Sequence, residues 1–304
     1  MRRKKPYWER RSEQVLLQAE KDAAIVQAKM IKAYNSALKH VQTEIEAFYD
    51  RVFSEGLAIR HVDAVKGNRL AMLQRQIADQ LKELGDTEEK LLKTHLEAAL
   101  KESYTMTIFA VQQYNGVGVS FLMPTDKRVK QIMAYPWSGF NFSQRIWKDK
   151  EKLGSTIEEV IARNLVRGVG SRPTIAEVAA KMDVSMRHAE TLVLTESAYI
   201  AAQGTAEGYA AAGLERYEIL ATLDGKTSDT CRHQDGKQYS MEEMKVGTNY
   251  PPFHARCRTT TVPVFDDDPK QVMRRARGDG GEGYLVPASM TYEQWKKLNV
   301  RSTS

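Results

Sequence analysis

Between Ser12 and Phe53 the chain contains neither glycine nor proline. Ile31, Tyr34, Leu38, Val41, Ile45, Phe48 and Val52 recur there at spacings of three and four, with Lys, Gln and Glu between them. That period is helical and commits the segment to one long amphipathic helix. Gly56 marks its expected break. The stripe returns at Leu70, Leu73, Ile77, Leu81 and Leu84, where Gly85 reads as a C-terminal stop, and a third helix is expected from near Thr87 toward Tyr114. Such helices must bury their stripes on one another or on a partner. Residues 1–114 are therefore read as a basic arm followed by a helical bundle or docking region.

The class is an ordinary one. The 304 residues are 42% hydrophobic and 28% charged, and one to three domains are expected. No apolar run approaches the twenty residues that span a membrane, so no membrane partner is expected. MRRKKPYWERR has no apolar segment behind it and does not read as a secretory signal. Two cysteines do not make a disulfide scaffold and fit a reducing compartment. Six of the first eleven residues are basic: Arg2, Arg3, Lys4, Lys5, Arg10 and Arg11. They are candidates for contact with DNA phosphates or an acidic protein surface. A solvated tail is the competing reading, though Tyr7 and Trp8 beside them favour docking.

NGVGVS, from Asn115, breaks the helical pattern. Residues 115–173 form an aromatic-rich connection with Tyr135, Trp137, Phe140, Phe142 and Trp147, read as the core of a small subdomain rather than a base-stacking surface. Thr156 with Glu159, and Thr174 with Glu177, read as capping boxes opening two successive helices. The alanine-rich continuation of the second does not present a duplex-reading face. Helix resumes from Ser185 to Gly213, and strands are expected at Tyr217–Thr222 and Thr259–Val264. Residues 174–265 thus read as a small α+β unit. Residues 266–304 read as a flexible linker, with RRARG at Arg274 to Gly278, then a short helix at Ser289–Leu298 that docks Trp295. The fold class is α+β, predominantly helical.

LDGKTSDTCRHQDG and PPFHARCRTTTVP hold both cysteines and two of the six histidines. Cys231, His233, His254 and Cys257 make two candidate half-sites for a structural Zn²⁺, which would supply folding energy to a loop-rich unit. Asp229 or Asp235 are substitutes for a missing ligand. A plain buried cysteine pair, reduced or bridged, is the alternative. Catalysis by Cys231 with His254, aided by Asp224, Asp229 or His233, lacks any defined reaction geometry in the sequence. Arg256 and Arg258 are read as tying down Asp229 and Asp235, or as contacting phosphate.

Residues from about Arg187 to Pro263 resemble the Mu F-like head-morphogenesis family of tailed bacteriophages. The resemblance rests on Thr195 and Glu196 in a helix, on Asp224, Thr227, Cys231, Asp235 and Gly236, and on Pro251, Pro252, His254, Cys257 and Arg258. Leu194, Ser228 and Thr259 stand where many relatives have an Arg and two further cysteines. A four-cysteine site is thus not available, and any metal site must use histidine. The resemblance implies a non-enzymatic minor head protein inside the virion head near the portal vertex, assembled in the host cytoplasm. Implied partners are the portal protein, scaffold or major capsid protein, and double-stranded DNA, with roles in head assembly and genome delivery. A DNA-binding ejection protein, and a metal- or thiol-dependent nuclease or transferase, are the alternatives.

Overall fold

The computed structural model describes residues 7–53, 68–222, 224, 226–265, 275–277, 283–284 and 300–301. Arg2, Arg3, Lys4, Lys5, Gly56 and the expected helix at Ser289–Leu298 lie outside them. Five substantial helices dominate: α1 (Tyr7–Phe53), α2 (Arg69–Asn115), α3 (Asp126–Ala134), α4 (Phe142–Val166) and α5 (Ser171–Ala211). A small mixed α+β region follows at the C-terminal end, so the expected fold class holds.

The helices are longer and fewer than the sequence reading had them. Gly85 does not stop a helix; it lies inside the 47-residue α2. A Cβ there would sit 2.9 Å from Cζ3 of Trp147, so the glycine is a notch that admits an indole ring. Thr156 opens no helix either. It lies within the 25-residue α4, where its hydroxyl donates to the carbonyl of Lys152 at 2.8 Å. Thr174 falls in the first turn of α5, which begins at Ser171 and runs unbroken for 41 residues.

The chain divides into two compact units that interleave along the sequence. The second unit comprises Ala24–Lys93 and Phe142–Val193, and its described residues hold helices and the short turn at 167–170, with no strand. Its core takes Tyr34, Val41, Ile45, Phe48 and Val52 from the first stripe and Leu73, Ile77, Leu81 and Leu84 from the second, against Ile157, Ile161 and Val178. Inside this core lies a charge that the stripes did not announce. Lys150 is 4% exposed, and its Nζ lies 2.9 Å from Glu88 Oε1, 3.1 Å from Asp149 Oδ2 and 3.1 Å from Ser185 Oγ, and donates to Tyr34 Oη. Burial pushes the Glu88 carboxyl up, against the pull of Lys150. Burial would raise Asp149 as well, but Lys150, Ser185 and His188 together hold it below the ordinary range.

The first unit comprises Met1–Ala23, Thr94–Asn141 and Leu194–Ser304. Here α5 approaches α2 through two glycines. A Cβ on Gly204 would meet the Leu100 carbonyl oxygen at 2.6 Å, and one on Gly208 would meet Thr107 at 2.8 Å. Only glycine permits that approach. The aromatic connection is partly core: Trp137 stacks on Tyr199 with centroids 5.4 Å apart. Tyr135 and Phe140 remain exposed. Arg11 is folded onto its own chain, donating to Gln113 and lying 5.3 Å from the Tyr7 and Phe109 rings, while Arg10 is exposed.

The main sheet of this unit has β3 (Arg216–Leu220) at its centre, between β4 (Gln238–Ser240) and β5 (Thr260–Val264), all antiparallel. The two expected strands pair with each other, Leu220 opposite Thr260 and Arg216 opposite Val264. Strand β4, too short for a period to show, was not foreseen. Pro263 is tolerated because β5 is an edge strand. Short strands also form at β1 (Val117–Gly118), β2 (Phe121–Leu122), β6 (Arg275–Arg277), β7 (Gly283–Tyr284) and β8 (Val300–Arg301). The described residues after Phe265 are in strands. Strand β6 pairs with β1 in parallel, Val117 opposite Arg275.

Candidate metal centre

The site is assembled at one end of the three-stranded sheet. Helix α5 ends where Gly213 adopts φ +70°, and Leu214 N donates back to the Tyr209 carbonyl at 3.0 Å, turning the chain into β3. Tyr217 and Ile219 point inward to Tyr209 and Tyr250. Each of the three tyrosines donates its hydroxyl to a backbone carbonyl: Tyr209 to Thr261, Tyr217 to Asn249 and Tyr250 to Ala202. Burial raises all three phenols above their ordinary range, so the hydroxyls stay protonated and remain donors.

Beyond β3 the chain makes a turn that several of the family-motif residues hold. Asp224 accepts both Arg258 Nη1 and Nη2, at 2.6 and 2.7 Å, and the Lys226 backbone N–H at 2.8 Å. The guanidinium and these donors hold its carboxyl well below the ordinary carboxylate range. Thr227 donates to the carbonyl of Thr222 and accepts from Asp224 N. Asp235 Oδ1 accepts from Ala221 N at 2.8 Å, next to Gly236 at φ +74°. Arg258 thus pairs with Asp224, not with the expected Asp229 or Asp235.

This turn leads into the short helix α6 (Asp229–Gln234), whose N-cap Ser228 accepts from Cys231 N at 3.2 Å. The cap orients Cys231 inward, where it is 2% exposed. From the other side, the cis Pro251–Pro252 segment delivers His254 and Cys257. Between these two, Arg256 takes a left-handed conformation, φ +55°, and its N–H donates to Thr195 Oγ1 at 3.2 Å. Thr195 thereby holds the loop, and the neighbouring Glu196 is buried and accepts from Trp137 Nε1 at 3.4 Å.

The result is a cluster of Cys231, His254 and Cys257 whose donor atoms all lie within 4.8 Å of one another. Cys231 Sγ is 3.2 Å from His254 Nε2 and 3.7 Å from Cys257 Sγ. A tetrahedral ion with bonds of about 2.3 Å to sulfur and about 2.0 Å to nitrogen sets its donors roughly 3.5–3.8 Å apart. The two spacings from Cys231 need shifts of only a few tenths of an ångström, whereas Cys257 and His254, the pair at the 4.8 Å limit, must close by about 1 Å. His254 is also in the right tautomer. Its Nδ1 lies 2.8 Å from the Ala255 carbonyl, which only accepts, so Nδ1 carries the proton and Nε2 faces the sulfurs with its lone pair. Burial opposes ionisation of Cys231, but its hydrogen-bonded surroundings, with the Ser228 and Thr259 hydroxyls foremost, outweigh it and lower its thiol. Burial raises Cys257. The cluster can coordinate a metal ion. His233 does not join it; it is exposed on α6, as is Asp229.

Residues 155–262 match the family model described as Phage Mu protein F like protein. The chain is also 24% identical over 302 residues to minor head protein GP7 of Bacillus phage SPP1, covering 95% of both chains. The chain thus carries a Mu F-like region and is similar along its length to a phage minor head protein. It is further similar to the NAD(+)–arginine ADP-ribosyltransferase EFV of Enterococcus faecalis (strain ATCC 700802 / V583), at 21% identity over 231 residues. That match covers 70% of this chain but 46% of the transferase. No solved structure matches the chain.

Proposed function

We propose that this protein is a structural component of a tailed-phage head that associates with the portal protein and the procapsid during assembly in the host cytoplasm. It remains in the head interior near the portal vertex and contributes to genome delivery. The observation that carries this reading is the end-to-end match to a minor head protein, 95% of each chain. The protein acts by binding rather than catalysis. Its buried thiols and its carbonyl-anchored imidazole fit a Zn²⁺ fastening between α6 and the loop before β5, a role that adds folding energy to a small sheet. The basic arm adds a contact with acidic portal surface or with double-stranded DNA.

Co-expression of the full chain with the portal protein of the same phage tests the reading. The two should co-sediment as one species; separate sedimentation at micromolar concentration would contradict it. The transferase similarity supports a second, enzymatic reading, tested by incubating the protein with labelled NAD⁺ and an arginine-rich acceptor. The binding role predicts no transfer of label.

A further inference from the structure

The Cys231, His254 and Cys257 cluster supplies three donors, and tetrahedral coordination needs four. Among the described residues, the neighbouring groups that could complete it are committed elsewhere. Both oxygens of Asp224 are on Arg258. Asp235 Oδ1 holds the Ala221 N–H, and the Asp229 side chain is fully exposed. The Ser228 and Thr259 hydroxyls reach Cys231, but a neutral hydroxyl is a weak ligand and serves better as a donor to sulfur. The cluster is also asymmetric. The two cysteines are buried, whereas His254 is half-buried and leads into exposed Ala255 and Arg256. A donor approaching from solvent meets the cluster on the His254 side.

We propose that a metal ion held by Cys231, His254 and Cys257 takes its fourth ligand from outside the chain, making this an open site for a monodentate donor, either water or a thiolate that displaces it. The inference rests on the metal reading of the cluster. Three protein ligands with an exchangeable fourth position is the arrangement of reactive rather than closed structural sites. Two thiolates and a neutral imidazole bring the charge of a divalent ion to zero, which leaves the ion able to accept one more soft anion.

The test loads the metal-stripped full chain with Co²⁺ under anaerobic conditions and follows thiolate-to-cobalt charge transfer in the near ultraviolet. Addition of 2-mercaptoethanol should raise that band by about half, as thiolates around the ion go from two to three. In the thiol-free arm, water completes the shell and the visible bands should match those of the His233→Ala, Asp229→Asn and Asp235→Asn variants. A charge-transfer band that thiol leaves unchanged overturns the open site and keeps the metal reading. A spectrum altered by any of those three variants before thiol is added identifies an internal fourth ligand and also overturns it. Absence of the band altogether overturns the metal reading, and the proposal with it.

Discussion

Replacing Lys150 with Met puts the greatest strain on the second unit. The ammonium is 4% exposed and its partner Glu88 is 2% exposed, so solvent screening does not discount their interaction. Methionine matches the length of the lysine stem but leaves the Glu88 carboxylate buried with no counter-charge. Breaking a buried pair in this way costs about 3–5 kcal/mol, whereas replacing both partners with apolar groups is close to neutral. At about 1.36 kcal/mol per factor of ten, Lys150→Met should raise the opening constant of α4 by roughly two to four powers of ten. Hydrogen–deuterium exchange at the amides around Leu153 and Ile157 reads this directly, because both residues are buried on the same helix. The double variant Lys150→Met with Glu88→Leu should recover most of the protection. A single variant within tenfold of the parent would refute the reasoning, as would a double variant no better than the single one.

Gly204→Ala tests the close approach of α5 to α2. Alanine ordinarily favours a helix by about 1 kcal/mol, but here its Cβ meets a backbone carbonyl at 2.6 Å, so a net loss of about 1–3 kcal/mol is expected in urea unfolding. Thr195→Val removes the acceptor of the Arg256 N–H and should cost about 1 kcal/mol and weaken Co²⁺ binding by equilibrium titration; unchanged affinity would separate Thr195 from the site. Glu88 gives a pH signature. Its folded-state value is raised, so its contribution is fully present below the unfolded value near ~4.3 and is lost as pH rises through the folded value. The urea midpoint of the parent relative to Glu88→Gln should therefore increase as pH falls from neutral toward that range, and a decrease would contradict the assignment.

The apolar stripes were legible because burial follows helical period: Val41, Ile45, Leu73, Ile77 and Leu81 are all core. Punctuation marked the ends of α2 at Asn115 and of α5 near Gly213, but it misled elsewhere. Gly85 and Thr156 look like boundary residues, but tertiary packing and i−4 back-bonding use them inside helices. The buried network did leave a signal. Lys150 falls in register between Ile146 and Leu153, and Glu88 between Leu84 and Leu92, so each is a charge where the period calls for an apolar residue. At the metal centre, residue types gave Cys231, His254 and Cys257, since thiols and imidazole in turn-rich sequence have few other uses. Sequence spacing could not tell His233 from His254. On a single turn of α6, a two-residue offset sends His233 to the opposite side from Cys231. The partner of Arg258 was likewise beyond sequence, because the pairing spans 34 residues and depends on the register of β3 with β5.

The central claim, that this chain is a component of the phage head at the portal vertex, is tested most directly by cryo-electron microscopy of particles that carry it, combined with quantitative mass spectrometry. The account predicts density for α1, α2 and α5 inside the head beside the portal and a few copies per particle. Particles of normal composition that lack the chain, or density on the outer shell at the copy number of the major capsid protein, would contradict it.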